Sequence, residues 1–106
     1  MALESPYQAD LIRRLRDRFP GCEILKNDSG YLQGVPDIII LWKDRWAMLE
    51  AKRSEKAPTR PNQPYYVNLF NQMSFAAFIY PENEEEVLDA LERSFTSRRR
   101  ARLPQR

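Results

Sequence analysis

The chain of 106 residues has no histidine and a single cysteine, Cys22. Without histidine it can build neither a Ser-His-Asp nor a Cys-His catalytic set, nor any His-ligated zinc site. With one cysteine it can form no internal disulfide and no cysteine metal cluster. Cys22 reads as a small buried apolar residue, because no His-type base is present to activate it as a nucleophile. Glycine is scarce, at three residues, and no glycine-rich phosphate loop occurs. No apolar run approaches the ~18 residues that a bilayer span needs. The opening MALESPYQAD lacks the basic region and apolar stretch of a signal peptide. The expectation is a cytoplasmic protein with no membrane partner and no small-molecule cofactor. Any catalysis must then use carboxylates, lysine, tyrosine or a hard metal ion held by oxygen.

What is present is an ordinary globular composition, 42% hydrophobic and 30% charged, of a length that suits one domain. The net charge is only +2, but the charges are segregated. Six acids and no base lie between Glu82 and Glu92, and six arginines and no acid follow from Arg93 onward. Between Lys43 and Arg60 six bases face three acids. Such patches suit a polyanionic partner, although the net charge alone does not establish one.

Hydrophobic spacing and turn residues divide the chain into seven elements. Ser5 caps a first helix with Pro6 in its first turn, and Gln8 completes a capping box. Leu11, Leu15 and Phe19 form its inner face, and Pro20-Gly21 ends it. Cys22 to Lys26 is a short strand, followed by the turn cluster Asn27-Asp28-Ser29-Gly30. Val35 to Trp42 and Trp46 to Lys52 form a hairpin around Lys43-Asp44-Arg45. Pro64 opens a second helix with Tyr66, Leu69, Phe70 and Met73 on one face. Phe75 to Tyr80 is a strand, and Glu82 to Phe95 a helix with Val87, Leu88, Leu91 and Phe95 inward. The order α-β-β-β-α-β-α predicts an α/β fold, a central mixed sheet flanked by helices with the hairpin at its centre. Residues 1–96 form the domain, and 97–106 a basic, flexible tail.

The hairpin carries the chemistry. Glu50 and Lys52 share one face of a strand, because side chains at i and i+2 point the same way. A two-residue turn at Asp44-Arg45 sets Asp37 opposite Lys52 on that face, and a four-residue turn gives the same register. A three-residue turn instead sets Asp37 opposite Ala51, on the wrong face. Two buried like charges cost several kcal/mol each unless compensated. A divalent cation compensates both, and two carboxylates with a backbone carbonyl suit Mg²⁺, which keeps several waters. The bland alternative is an exposed Glu50–Lys52 ion pair on an edge strand.

Pro36-Asp37 followed, after a spacer, by Glu50-Ala51-Lys52 resembles the signature of the PD-(D/E)xK nuclease superfamily. It is most similar to the virus-type replication–repair nucleases (VRR-NUC) and to small phage endonucleases and Holliday junction resolvases. Leu3-Glu4-Ser5 ahead of the first helix, Gly34-Val35-Pro36-Asp37, and Gln63 after a short loop add to the likeness, which covers Leu3 to Phe95. The resemblance implies a restriction-endonuclease-like core and a Mg²⁺- or Mn²⁺-dependent endodeoxyribonuclease, structure-selective for branched DNA, working as a homodimer and of phage origin. It implies that Asp37, Glu50 and the Ala51 carbonyl bind the metal and that Lys52 acts on the attacking water. Gln63 would position the phosphate or a water, and Glu4 would reach the metal through water or hold a second ion. Two details depart from the pattern. Pro64 directly follows Gln63, putting Gln63 at a helix cap, and Ser74 stands where a glycine often precedes the last strand. Glu4 has a second reading, as an acid favoured by the helix dipole. The rival to an enzyme is a DNA-binding module that retains the fold without catalysis.

DNA contacts are expected around this site. Lys26 and Asn27 end the first strand beside it, as phosphate contacts or as a solvated strand end. Tyr31 stacks on a base or covers the core. Arg53, Lys56 and Arg60 follow the Glu-x-Lys strand and would flank the cleft as phosphate contacts. Trp42 and Trp46 either pack across the hairpin or form an apolar patch for dimerisation.

Overall fold

A computed structural model describes residues 5–27 and 32–97. Glu4, Tyr31, the cluster Asp28-Ser29-Gly30 and the arginine-rich stretch from Arg98 onward lie outside the described residues. Helix α1 spans Pro6–Arg18, strand β1 Glu23–Lys26, β2 Ile38–Trp42 and β3 Arg45–Ala51; helix α2 spans Gln63–Met73, β4 Phe75–Ile79 and helix α3 Glu84–Thr96. The order is the one that the hydrophobic spacing predicts. The strands form a single sheet in the order β1-β2-β3-β4. The first two pairings are antiparallel and β3 pairs with β4 in parallel, so the sheet is mixed.

The two faces of the sheet are covered differently. Ile38, Ile40, Ala47, Leu49 and Ile79 point to one face and pack with Leu11, Ile12 and Leu15 of α1 and with Val87, Leu88, Leu91 and Phe95 of α3. This face holds the main core. Helix α2 lies on the other face over β3 and β4, where Val67 and Ala76 are buried. It leaves the β1–β2 half of that face uncovered, where Leu25 and Leu41 stand exposed.

Several boundaries shift from the sequence expectation, each for a local reason. Strand β2 starts at Ile38 rather than Val35, because Pro36 has no N–H to give a ladder. The hairpin turn is two residues, Lys43-Asp44, with Trp42 paired to Arg45. Lys43 takes φ 58°, the left-handed conformation that tight hairpin turns require at this point. Asn62 caps α2, so Gln63 lies in its first turn and not at the cap. The inner face of α2 is Gln63 and Val67, while Met73 is exposed. Trp42 and Trp46 are not cross-strand partners. Trp42 faces the main core, packing edge-on to Phe19 with centroids 5.2 Å apart, and its Nε1 donates to the Pro20 carbonyl at 2.9 Å. Trp46 sits opposite Leu41 on the other face.

Charge segregation is resolved between α1 and α3. Arg14 donates through Nε and Nη2 to both oxygens of Glu84, at 2.6 and 2.7 Å, and Tyr7 Oη donates to the same carboxylate at 2.8 Å. Arg18 binds Asp89 and Glu92. The acids of α3 therefore meet the arginines of the first helix.

Candidate active site

The hairpin register assembles the site. Ile38 pairs with Leu49 and both enter the main core. Carried one residue outward, the same register sets Asp37 across from Glu50, both on the face of α2. The even-numbered turn is as the functional reading needs. It is centred one residue earlier than Asp44-Arg45, so the partner of Asp37 is Glu50 and not Lys52. Two carboxylates thus face each other directly.

Asp37 is held from both sides. Its Oδ1 accepts the Ala51 N–H at 3.3 Å and its Oδ2 accepts Gln8 Nε2 at 2.6 Å. The backbone N–H of Asn27 donates to the Asp37 carbonyl at 2.9 Å, and Asn27 Nδ2 to that of Pro36 at 3.1 Å, which fixes the entry into β2. Gln8 is only 8% exposed, and its Oε1 accepts Lys26 Nζ at 2.9 Å. That bond settles the orientation of the amide, so its N–H₂ must face Asp37. Gln8 was predicted only as a capping-box residue. Ser5 Oγ does accept the Gln8 backbone N–H, at 3.1 Å, but the side chain reaches Asp37 instead of turning back to the cap. A polar residue in the first turn on the Leu11–Leu15 side of the helix was the available signal, and the cap explained it away.

Glu50 is 7% exposed, and its Oε2 accepts Gln63 Nε2 at 2.9 Å. Gln63, also 7% exposed, accepts on its Oε1 from Lys52 Nζ at 2.7 Å and from the Arg60 N–H at 2.9 Å. Lys52 Nζ also donates to the Pro58 carbonyl at 2.8 Å. Gln63 is therefore the bridge between the acid and the base of the Glu-x-Lys pair, which is not the exposed ion pair of the bland alternative. The start of α2 is pressed against the Gly-Val-Pro-Asp loop to make this possible. A Cβ on Gly34 would come within 2.5 Å of Asn62 Cβ, and Gly34 has φ 93°, so only glycine fits there.

The electrostatics follow from burial, which outweighs the pull of Lys52 on Glu50 and of Lys26 on Asp37. Desolvation first, and the neighbouring Asp37 second, push the Glu50 carboxyl up to about 7. Burial likewise raises Asp37, against the hydrogen bonds from Ala51 and Gln8. Among the described residues no third His, Cys, Asp or Glu joins them in a metal-binding cluster. Two carboxylates raised by burial, Glu50 further by its neighbour Asp37, are a donor set that a hard divalent cation would relieve. Since a strand residue sends its N–H and C=O to the same edge, the Ala51 carbonyl leaves β3 on the Asp37 side. The residues present fit such an ion.

The other predicted residues are spread around this centre. Lys26 is exposed and tied to Gln8. Arg53, Lys56 and Arg60 are exposed on the segment between β3 and α2, beside Lys52. Glu4 and Tyr31, outside the described residues, are not located. Comparison with known protein families, curated proteins and solved structures finds no match.

Proposed function

We propose that the protein is a metal-dependent endodeoxyribonuclease of the PD-(D/E)xK kind. The observation that carries this reading is the face-to-face pair of half-buried Asp37 and buried Glu50, with Lys52 tied to Glu50 through Gln63. A core that only needed stability would not set two carboxylates together; replacing such charges by apolar groups is often neutral or stabilising. Asp37, Glu50 and the Ala51 carbonyl would hold Mg²⁺ or Mn²⁺. When bound, the ion supplies charge stabilisation at the phosphate and lowers the pKa of the attacking water.

The protein's own groups do the rest. Lys52 has three N–H donors, of which two are engaged by Gln63 and Pro58. Among the described residues no hydrogen bond engages the third, which would orient water or a phosphate oxygen. Gln63 holds Lys52 and Glu50 at a fixed separation, and Gln8 with the Ala51 N–H does the same for Asp37. Exposed Lys26, Arg53, Lys56 and Arg60 around the site would contact the phosphate backbone, and Glu4 would add a further carboxylate. Selectivity for branched DNA, a homodimeric state, and action in phage replication, recombination or repair belong to the same proposal. The exposed Leu25 and Leu41 offer apolar surface for a second copy.

The test is incubation with linear duplex, single-stranded, flap and four-way-junction DNA in Mg²⁺, Mn²⁺ or EDTA. Metal-dependent nicking that Glu50→Ala abolishes is expected. Binding of DNA with no cleavage under any metal would replace the enzyme with the non-catalytic DNA-binding module.

A further inference from the structure

On the side of Lys52 away from Asp37 lies a cleft of about 190 Å³, lined by Lys52, Glu55, Ala57, Thr59, Phe78 and Tyr80 among others. It opens at the ends of the parallel pair β3 and β4. Glu50 is level with Phe78 across that pair, and the Lys52 N–H donates to the Ile79 carbonyl at 2.8 Å. Across the sheet the order is therefore Asp37, then Glu50 and Lys52, then Phe78 and Tyr80. Strands stand about 4.8 Å apart, so the aromatic side chains lie one strand spacing from Glu50 and two from Asp37. That is the reach of one nucleotide from its phosphate to its base.

The chemistry of the lining selects a base over other groups. Phe78 and Tyr80 are half-buried and present ring surface, with Lys52 Nζ 5.6 Å from the Phe78 centroid. Glu55 on the rim repels a second phosphate, while its carboxylate can accept from an exocyclic amine. The Thr59 hydroxyl adds a donor and acceptor. The Glu55 N–H donates to Glu82 at 3.2 Å, which anchors this wall to the loop that follows β4. The cleft has room for one heterocyclic base.

We propose that this cleft holds one unpaired base of the DNA strand, seated against Phe78 and Tyr80, beside the phosphate at Asp37 and Glu50. The placement of the phosphate rests on the nuclease reading. The cleft takes a base only when that base has left the helical stack. Base–aromatic contact then favours unpaired over fully paired DNA by about tenfold or more.

The experiment uses the full chain in EDTA, so that binding is read without hydrolysis. Oligonucleotides carry 2-aminopurine at successive positions, either unpaired or within a duplex, and both fluorescence and Kd are followed. One unpaired position should show a fluorescence change on binding, with about tenfold tighter binding than the duplex. Tyr80→Ala, which removes a wall, and Ala57→Leu, which fills the cleft, should each erase both effects while the protein keeps its cooperative melting. Either variant alone suffices if the other fails to fold. No position-specific signal, or equal affinity for duplex and unpaired DNA, overturns the cleft. Metal-dependent cleavage of the same strands is scored separately. Cleavage without base selectivity removes the cleft and keeps the nuclease; base selectivity without cleavage keeps the cleft as a binding subsite and removes the nuclease.

Discussion

Glu50 and Glu84 are chemically the same group in opposite circumstances. Glu84 lies between α1 and α3, where Arg14 grips both of its oxygens and Tyr7 adds a third bond, and its carboxyl is lowered despite the burial that opposes this. Glu50 lies on the other face of the sheet, with a second carboxylate opposite and the Gln63 amide bonded to it, and it is raised to about 7. The protein evidently can supply an arginine partner to a half-buried acid. At Glu50 it supplies amides instead. Amides orient a carboxylate without neutralising it, and so leave it able to bind a cation. That difference separates a carboxylate matched by an arginine from one that a bound cation would match.

The largest expected effect breaks the functional side of the comparison outright. Asp37→Ala, Glu50→Ala and Lys52→Ala should each lower cleavage by about 10³-fold or more, measured as single-turnover rates, while circular dichroism shows a folded protein. Full activity in Glu50→Ala would refute the site.

Next comes a dependence on pH whose sign differs between the two glutamates. The folded pKa of Glu50 lies above its ordinary value of 4.5, so folding favours its protonated form. Well below pH 4.5 Glu50 is neutral and costs nothing; as pH rises through the window from 4.5 to about 7 its ionisation lowers the stability of the apo protein. The loss is on the order of 3 kcal/mol once Glu50 is fully charged. Glu50→Gln keeps an oxygen for Gln63 and should therefore raise the apo melting temperature at pH 8 while changing little at pH 4. Added Mg²⁺ should stabilise the natural protein at pH 8 and not the variant. For Glu84, held low, stability is lost only in more acidic solution. A melting curve for Glu50→Gln that matches the natural protein at every pH would show that Glu50 carries no such burden.

A smaller effect belongs to Gln8. Gln8→Ala releases Asp37 Oδ2 and should weaken Mn²⁺ binding and cleavage by about 10- to 100-fold, the usual effect of losing a residue that orients a ligand. The measurement is Mn²⁺ titration alongside kinetics; lost stability with unchanged metal affinity would make Gln8 merely structural.

The smallest effect is on the structural side. Glu84→Gln should cost at most about 1 kcal/mol, diminishing in salt, because the pair is partly exposed. Cleavage and Mn²⁺ affinity should not change. A loss of activity here would mean that the two faces of the sheet are coupled.

By itself the sequence determined the seven elements and their order, because periods of two and three to four, with prolines and glycines between them, are local properties. It also determined that Glu50 and Lys52 share a face, through strand alternation, and it marked Asp37 and Gln63 as neighbours of that face through a family resemblance. The partner of Asp37 was not local. It depended on whether the turn closed at Lys43 or at Asp44, and Lys43 settles it by taking a left-handed φ that its side chain does not advertise. The clamp Lys26–Gln8–Asp37 spans three elements far apart along the chain, and in one dimension Gln8 is indistinguishable from a cap. The bridge made by Gln63 needed the contact of Gly34 with Asn62, a close approach of two backbones with no periodicity to announce it. Tertiary structure alone decided which carboxylate met an arginine and which met a second carboxylate, because burial and partner geometry arise only when distant segments meet.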